Sequence, residues 1–177
     1  MAELIYFAYG SNLHPLRLLK RVPSSRPLGC AVLPDHALHF DKKSVTDGSG
    51  KCRIGAEPDC RVHGVLFSLR ADERPYLDRA ESLGVGYFLE DVQVLNAAGE
   101  QVEAFTYVAN PERLDPTVQP YCWYRDIVAA GARFHGFPAD YVQSIARRPV
   151  WEDPDPARRA RQHELVRDCL NWRPAEA

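Results

Sequence analysis

The chain has 177 residues, 45% of them apolar and 26% charged, with 24 acidic against 22 basic side chains and a formal net charge of -2. A chain of this length buries roughly 70% of its unfolded surface as one domain, and with neither a basic stripe nor an acidic tail it is expected to meet a small molecule rather than nucleic acid. The five cysteines, Cys30, Cys52, Cys60, Cys122 and Cys169, form an odd set with no CxxC pair, which argues against a disulfide framework and against a zinc knuckle.

In chain order, MAELIYFAYG carries neither a positive leader nor a long apolar stretch, and no apolar run approaches the roughly 18 residues of a membrane span. A cytoplasmic protein with no membrane partner is the expectation. Tyr6 and Phe7 alternate in a first strand, so one of them faces the core. That strand stops on Tyr9-Gly10-Ser11-Asn12-Leu13, where glycine permits close backbone approach and Ser and Asn favour a turn. A short helix opens at His14-Pro15-Leu16 and Pro23 stops it. Strand patterns follow at Gly29–Leu33 and Ala37–Phe40, then a polar loop from Asp41 to Cys52, then strands at Arg53–Ala56 and Val62–Leu69.

The segment ADERPYLDRAES, residues 71–82, reads as a helix that GVGY breaks, with Glu81 where it ends. FLEDVQVL and EAFTYVA form a hairpin across Ala98-Gly99-Glu100. From Pro120 onward Trp123, Ile127, Ala130 and Phe134 recur at helical spacing, GFP interrupts, and Tyr141 with Ile145 marks another short helix. Asp155-Pro156 is an N-cap with proline at the first helical position, opening a C-terminal helix. These elements predict an α+β architecture: a mixed, mostly antiparallel, barrel-like sheet of about six strands with flanking helices, one domain over residues 1–177 in which 150–177 is a helical extension. Trp151 in that extension suits packing on its own domain or on a second copy in a homodimer.

Several chemical signals fail. GSGK at Gly48–Lys51 lacks the glycine a phosphate loop needs at Val45 and the hydroxyl it needs at Cys52. Ser11 sits in GSN rather than GxSxG. The six histidines form no HExxH or paired ligand set, so no metal is expected. Arg158, Arg159 and Arg161 are offset by Asp153, Asp155 and Glu164 and read as a solvated helix face.

Two features remain: the Tyr9–Leu13 loop and the carboxylate of Glu81 in LDRAESLGVGY. With Tyr9-Gly10-Ser11-Asn12 followed by Leu77-Asp78-Arg79-Ala80-Glu81 and then Gly86-Tyr87, the chain resembles the gamma-glutamylcyclotransferase-like family. DGSGK, HGVLFSL and PYCWYRDIVAAGARFHGFPADYV are similar to further family segments, so the resemblance spans about Met1 to Arg148. Asn12 favours the YGSN branch over the glutathione-specific branch with its YGSL-type loop. Ser82 replaces the glycine that many members carry after the glutamate, and the tail beyond Pro149 is assigned to no family segment.

The resemblance implies an enzyme that closes a gamma-glutamyl group onto its own alpha-amine, releasing 5-oxoproline and an amine or amino acid without a cofactor, as in glutathione metabolism. It implies Glu81 as the catalytic acid/base and Tyr9, Gly10, Ser11, Asn12, Leu13, Tyr87 and Tyr121 as substrate-binding residues, the loop amides serving the oxyanion or the alpha-carboxylate. A glutamate and an alpha-amine differ in proton affinity by about 5 kcal/mol, and burial narrows that gap, so an apolar setting is expected for Glu81. A non-catalytic binding module of the same fold, or an amide hydrolase using the same carboxylate, are the competing readings. The leaving amine is not legible; the Asp41–Cys52 loop and the tail are the expected places for that choice.

Overall fold

The computed structural model describes residues 2–174; Met1 and the last three residues of the predicted extension lie outside the described residues. Five strands, β1 (Glu3–Ala8), β2 (Arg26–Lys43), β3 (Gly50–Arg70), β4 (Tyr87–Asn96) and β5 (Gln101–Ala109), close into a barrel in the order β1-β3-β2-β4-β5. Neighbours run antiparallel except at the closing seam, where β1 and β5 are parallel at Tyr6 and Phe105. Five helices flank it: α1 (Pro15–Leu19), α2 (Arg74–Ala80), α3 (Cys122–Phe134), α4 (Ala139–Ala146) and α5 (Pro156–Asn171). The expected α+β class and barrel-like sheet are therefore what the chain forms.

The strand count is five rather than about six, for a local reason. The segments around 29–33 and 37–40 join as β2, and those around 53–56 and 62–69 join as β3, through an irregularity at which Pro34 pairs Arg61 and His36 pairs Ala56. Asp35 and Asp59 there take left-handed backbone conformations, φ 54° and 64°, and the Asp59 N–H donates to the Asp35 carboxylate at 3.2 Å. An aspartate in this conformation reads locally as a turn, whereas cross-strand pairing carries the ladder past it. Pairing also shortens the predicted Asp41–Cys52 loop, because Lys42 pairs Lys51 and Lys43 pairs Gly50, leaving a turn over 44–49.

Topology brings the two sequence signals together. Since β1 and β5 are parallel and β4 is antiparallel to β5, the C-terminal end of β1 and the N-terminal end of β4 open at the same end of the barrel. The Tyr9–Leu13 loop leaves β1 there, and the α2–β4 connection that holds Glu81 arrives there. Helix α3 closes over this end with Trp123, Tyr124, Ile127, Val128 and Ala130 buried. It crosses the loop at Gly131, where a Cβ would lie 2.5 Å from the Leu13 Cβ and 2.9 Å from the His14 nitrogen, so only glycine fits.

Candidate active site

Glu81 is the last turn of α2, and the backbone around it is tightly specified. The Glu81 N–H donates to the Leu77 carbonyl, the Ser82 N–H to Arg79 at 3.2 Å and the Leu83 N–H to Asp78 at 2.9 Å. These last two bonds are the pair that ends a helix on a left-handed residue. That residue is Ser82, at φ 54°. A glycine would adopt this conformation without strain, which is the physical content of the departure at this position.

The Glu81 side chain sits in a closed ring of hydrogen bonds. Asn12 Nδ2 donates to Glu81 Oε1 at 3.0 Å, Arg21 Nη1 donates to the same oxygen at 2.9 Å, and Arg21 Nη1 also donates to Asn12 Oδ1 at 2.7 Å. The second hydrogen of Asn12 Nδ2 goes to the Tyr6 hydroxyl at 3.1 Å. Reversing the Asn12 amide would turn its oxygen to the carboxylate and its NH₂ to the guanidinium, so the ring itself fixes the orientation. Glu81 Oε2 receives no donor among the described residues, and the side chain is 15% exposed. The expected apolar setting is thus not what surrounds Glu81: an amide and an arginine partner it.

Glu81 lines a cleft with a narrow and a wide end. The narrow end, about 20 Å³, is walled by Tyr6, Tyr9, Tyr87, Tyr107 and Tyr124 together with Gly10–Asn12. The wide end, about 220 Å³, shares Ser11, Glu81, Tyr87 and Tyr124 with it and continues past Arg17 and Lys42. Most phenols in the wall are already engaged. Tyr9 donates to the Tyr107 carbonyl, Tyr87 donates to the Cys52 carbonyl at 2.7 Å, and Tyr124 accepts the Cys52 N–H at 3.1 Å. Tyr6, which accepts from Asn12, keeps its own proton uncommitted among the described residues. Burial, reinforced by the Glu81 charge, pushes the Tyr6 phenol well above its ordinary range, so it remains an O–H donor. Burial also pushes the Cys52 thiol up to about 12, which removes it as a nucleophile.

The loop makes one tight turn, with the Leu13 N–H donating to the Gly10 carbonyl at 3.1 Å, and no protein acceptor takes the Ser11 or Asn12 N–H among the described residues. A Cβ on Gly10 would stand 3.0 Å from the Cys52 Cβ, so the glycine lets the loop pass β3 closely. Helix α1 starts at Pro15 with His14 as its cap, where the sequence predicts it, so the Ser11 and Asn12 N–H groups lie ahead of its first turn.

Of the residues singled out in the sequence, Tyr9, Gly10, Ser11, Asn12, Glu81 and Tyr87 meet at the cleft. Leu13 and Tyr121 do not line it. Leu13 is fully buried beneath α3, and Tyr121 caps α3 with its hydroxyl donating to the Asp47 carbonyl at 3.2 Å; Tyr124, one turn on, takes the wall position instead. Sequence reading missed Arg21, Lys42, Tyr107 and Tyr124. Arg21 lies only nine residues beyond Asn12 but after a helix, and no spacing rule links a turn amide to a cation there.

The chain is similar to several known proteins. A family model described as AIG2-like matches residues 61–145. Gamma-glutamylcyclotransferase from Homo sapiens is 31% identical over 149 residues, covering 81% of this chain and 77% of its own, and that from Bos taurus is 30% identical over the same shares. A solved structure described as gamma-glutamyl cyclotransferase, 24% identical, superposes with a TM-score of 0.83 over 94% of this chain and 99% of its own. With its fold and most of its length matched in this way, the chain belongs to the gamma-glutamylcyclotransferase family.

Proposed function

We propose that the protein releases 5-oxoproline and a free amine from a gamma-glutamyl conjugate, with Glu81 as general acid/base. The observation that carries this reading is the half-used carboxylate: Oε1 held by Asn12 and Arg21, Oε2 without a donor, at the wall of a cleft. In the reaction the alpha-nitrogen forms a bond to the gamma-carbon and the bond from that carbon to the leaving nitrogen breaks. Two protons pass from the alpha-ammonium to the leaving nitrogen, which departs as an ammonium. Oε2 takes and returns them one at a time while Oε1 keeps the side chain in register.

Because the attack closes a ring within one molecule, folding the substrate into a near-attack shape supplies an effective molarity of roughly 10⁵ M. Negative charge developing on the gamma-oxygen is met by the Ser11 and Asn12 N–H groups, donors of a kind worth about 3 to 4 kcal/mol when placed well. The Tyr6 O–H is a further donor at the narrow end. Tyr9 and Tyr87, whose hydroxyls serve the backbone, act as walls that fold the glutamyl chain. The route requires only protein groups.

Incubation with gamma-glutamyl-alanine tests the reading by product: 5-oxoproline and alanine are expected. Free glutamate in place of 5-oxoproline would make the protein an amide hydrolase, and tight binding without either product would make it a binding module.

A further inference from the structure

The wide end of the cleft carries more positive charge than the fold uses. Of the cations lining it, Arg21 pairs with Glu81 at 2.9 Å, Lys51 with Asp47 at 3.0 Å and Arg158 with Asp153. Arg17 and Lys42 have no acidic partner and no hydrogen-bond acceptor among the described residues. Lys42 is 3% exposed, and its ammonium stands over the Tyr87 ring at 4.2 Å from the centroid. A ring face offsets only part of the desolvation of a buried ammonium. In the same lining, Arg17 Nε and Gln162 Oε1 are buried with no hydrogen-bond partner among the described residues. Unpaired buried polar groups around a solvent-reaching chamber point to a ligand that completes them.

The charge of that ligand follows from the substrate. Resting on the cyclotransferase reading, the glutamyl half brings one alpha-carboxylate and one alpha-ammonium, which balance each other. Two unpaired cations therefore remain for whatever the glutamyl group is attached to. We propose that the wide end is an anion-binding chamber that selects a leaving amine bearing carboxylates, two preferred over one and one over none, with Lys42 and Arg17 as the residues that hold them. The leaving group is then an acidic amino acid or short acidic peptide rather than an alkylamine or polyamine, whose positive charge this chamber would repel. Burial holds the Lys42 ammonium down to about 8, opposed by Glu81, so an incoming carboxylate gains by restoring full charge there.

The test measures kcat/KM for 5-oxoproline release from gamma-glutamyl-glutamate, gamma-glutamyl-alanine and gamma-glutamyl-ethylamide with wild type, Lys42→Met and Lys42→Arg. Wild type is expected to favour the first over the last by at least about tenfold, Lys42→Met to cut that ratio by about tenfold, mainly through KM, and Lys42→Arg to keep it. Equal release from all three by wild type overturns the proposal and leaves the cyclotransferase reading standing. Release from none overturns that reading, and calorimetric binding of the same three compounds to wild type then judges the chamber. Tighter binding of gamma-glutamyl-glutamate that Lys42→Met abolishes supports it, whereas equal or absent binding overturns it.

Discussion

Asp153 and Glu81 each face an arginine, yet the two carboxylates are spent in opposite ways. Asp153 is fully buried and both its oxygens are filled: Oδ2 accepts from Trp123 Nε1 at 2.8 Å and Arg158 Nε at 2.7 Å, Oδ1 from the Asp155 N–H at 2.9 Å and from Arg158 Nη2. Glu81 has only Oε1 filled among the described residues, and it lines the cleft. A carboxylate with every lone pair taken is a strut, here tying the start of the C-terminal segment to α3. A carboxylate held by one oxygen is oriented and still has a base to offer. The number of donors around each group, more than its burial or its charge partner, separates structure from chemistry in this molecule.

The largest effect expected from this contrast is on stability. Asp153→Ala leaves Arg158 and the Trp123 N–H without partners and is predicted to cost about 3 to 5 kcal/mol in urea denaturation. Hydrogen bonding from Arg158 holds the Asp153 carboxyl down to about 2. With its folded value depressed, the group contributes fully above the ordinary carboxylate value of 3.8, and that contribution, about 2 kcal/mol, is lost as pH falls through about 2. Denaturation from pH 5 down to pH 2 should show this acid loss in wild type and lack that part of it in Asp153→Asn.

Next in size is the second anchor of Glu81. Arg21→Met removes one of the two donors on Oε1 and is predicted to lower kcat about tenfold with a smaller change in KM, while Arg21→Lys regains part of the loss. A change confined to KM would mean that Arg21 binds substrate directly rather than orienting Glu81. The smallest effect lies at the helix end. Ser82→Gly relieves a left-handed serine at φ 54°, and after the greater entropy of glycine in the unfolded chain it is predicted to stabilise by about 0.5 kcal/mol, read as a rise in the thermal midpoint.

The sequence displayed the local half of this design. Alternation in YFLEDVQVL and EAFTYVA, the turn at Gly99, and the Asp155-Pro156 start of α5 are signals that a few adjacent residues carry. The long strands were less legible because Asp35 and Asp59 look like turns until cross-strand pairing is known. At the site, the loop and Glu81 stood out through their motifs, whereas their partners did not. Arg21, Tyr107, Tyr124 and Lys42 arrive from four different elements, and only barrel closure brings them to one cleft. The apolar setting expected for Glu81 failed for the same reason. Burial was inferable from a helix end, but the donors that fill it, Asn12 and Arg21, come from 69 and 60 residues away.

The most direct measurement is the rate of 5-oxoproline release from gamma-glutamyl-alanine by wild type and by Glu81→Gln, with thermal unfolding of both proteins alongside. The amide keeps the size of the side chain and an oxygen to accept from Asn12 and Arg21, but offers no base at the second position. A loss of at least about 10²-fold is expected, with the thermal midpoint largely retained. A Glu81→Gln protein that stays folded and turns over within a few-fold of wild type would contradict the role given to Glu81 and assign the proton transfer to another group.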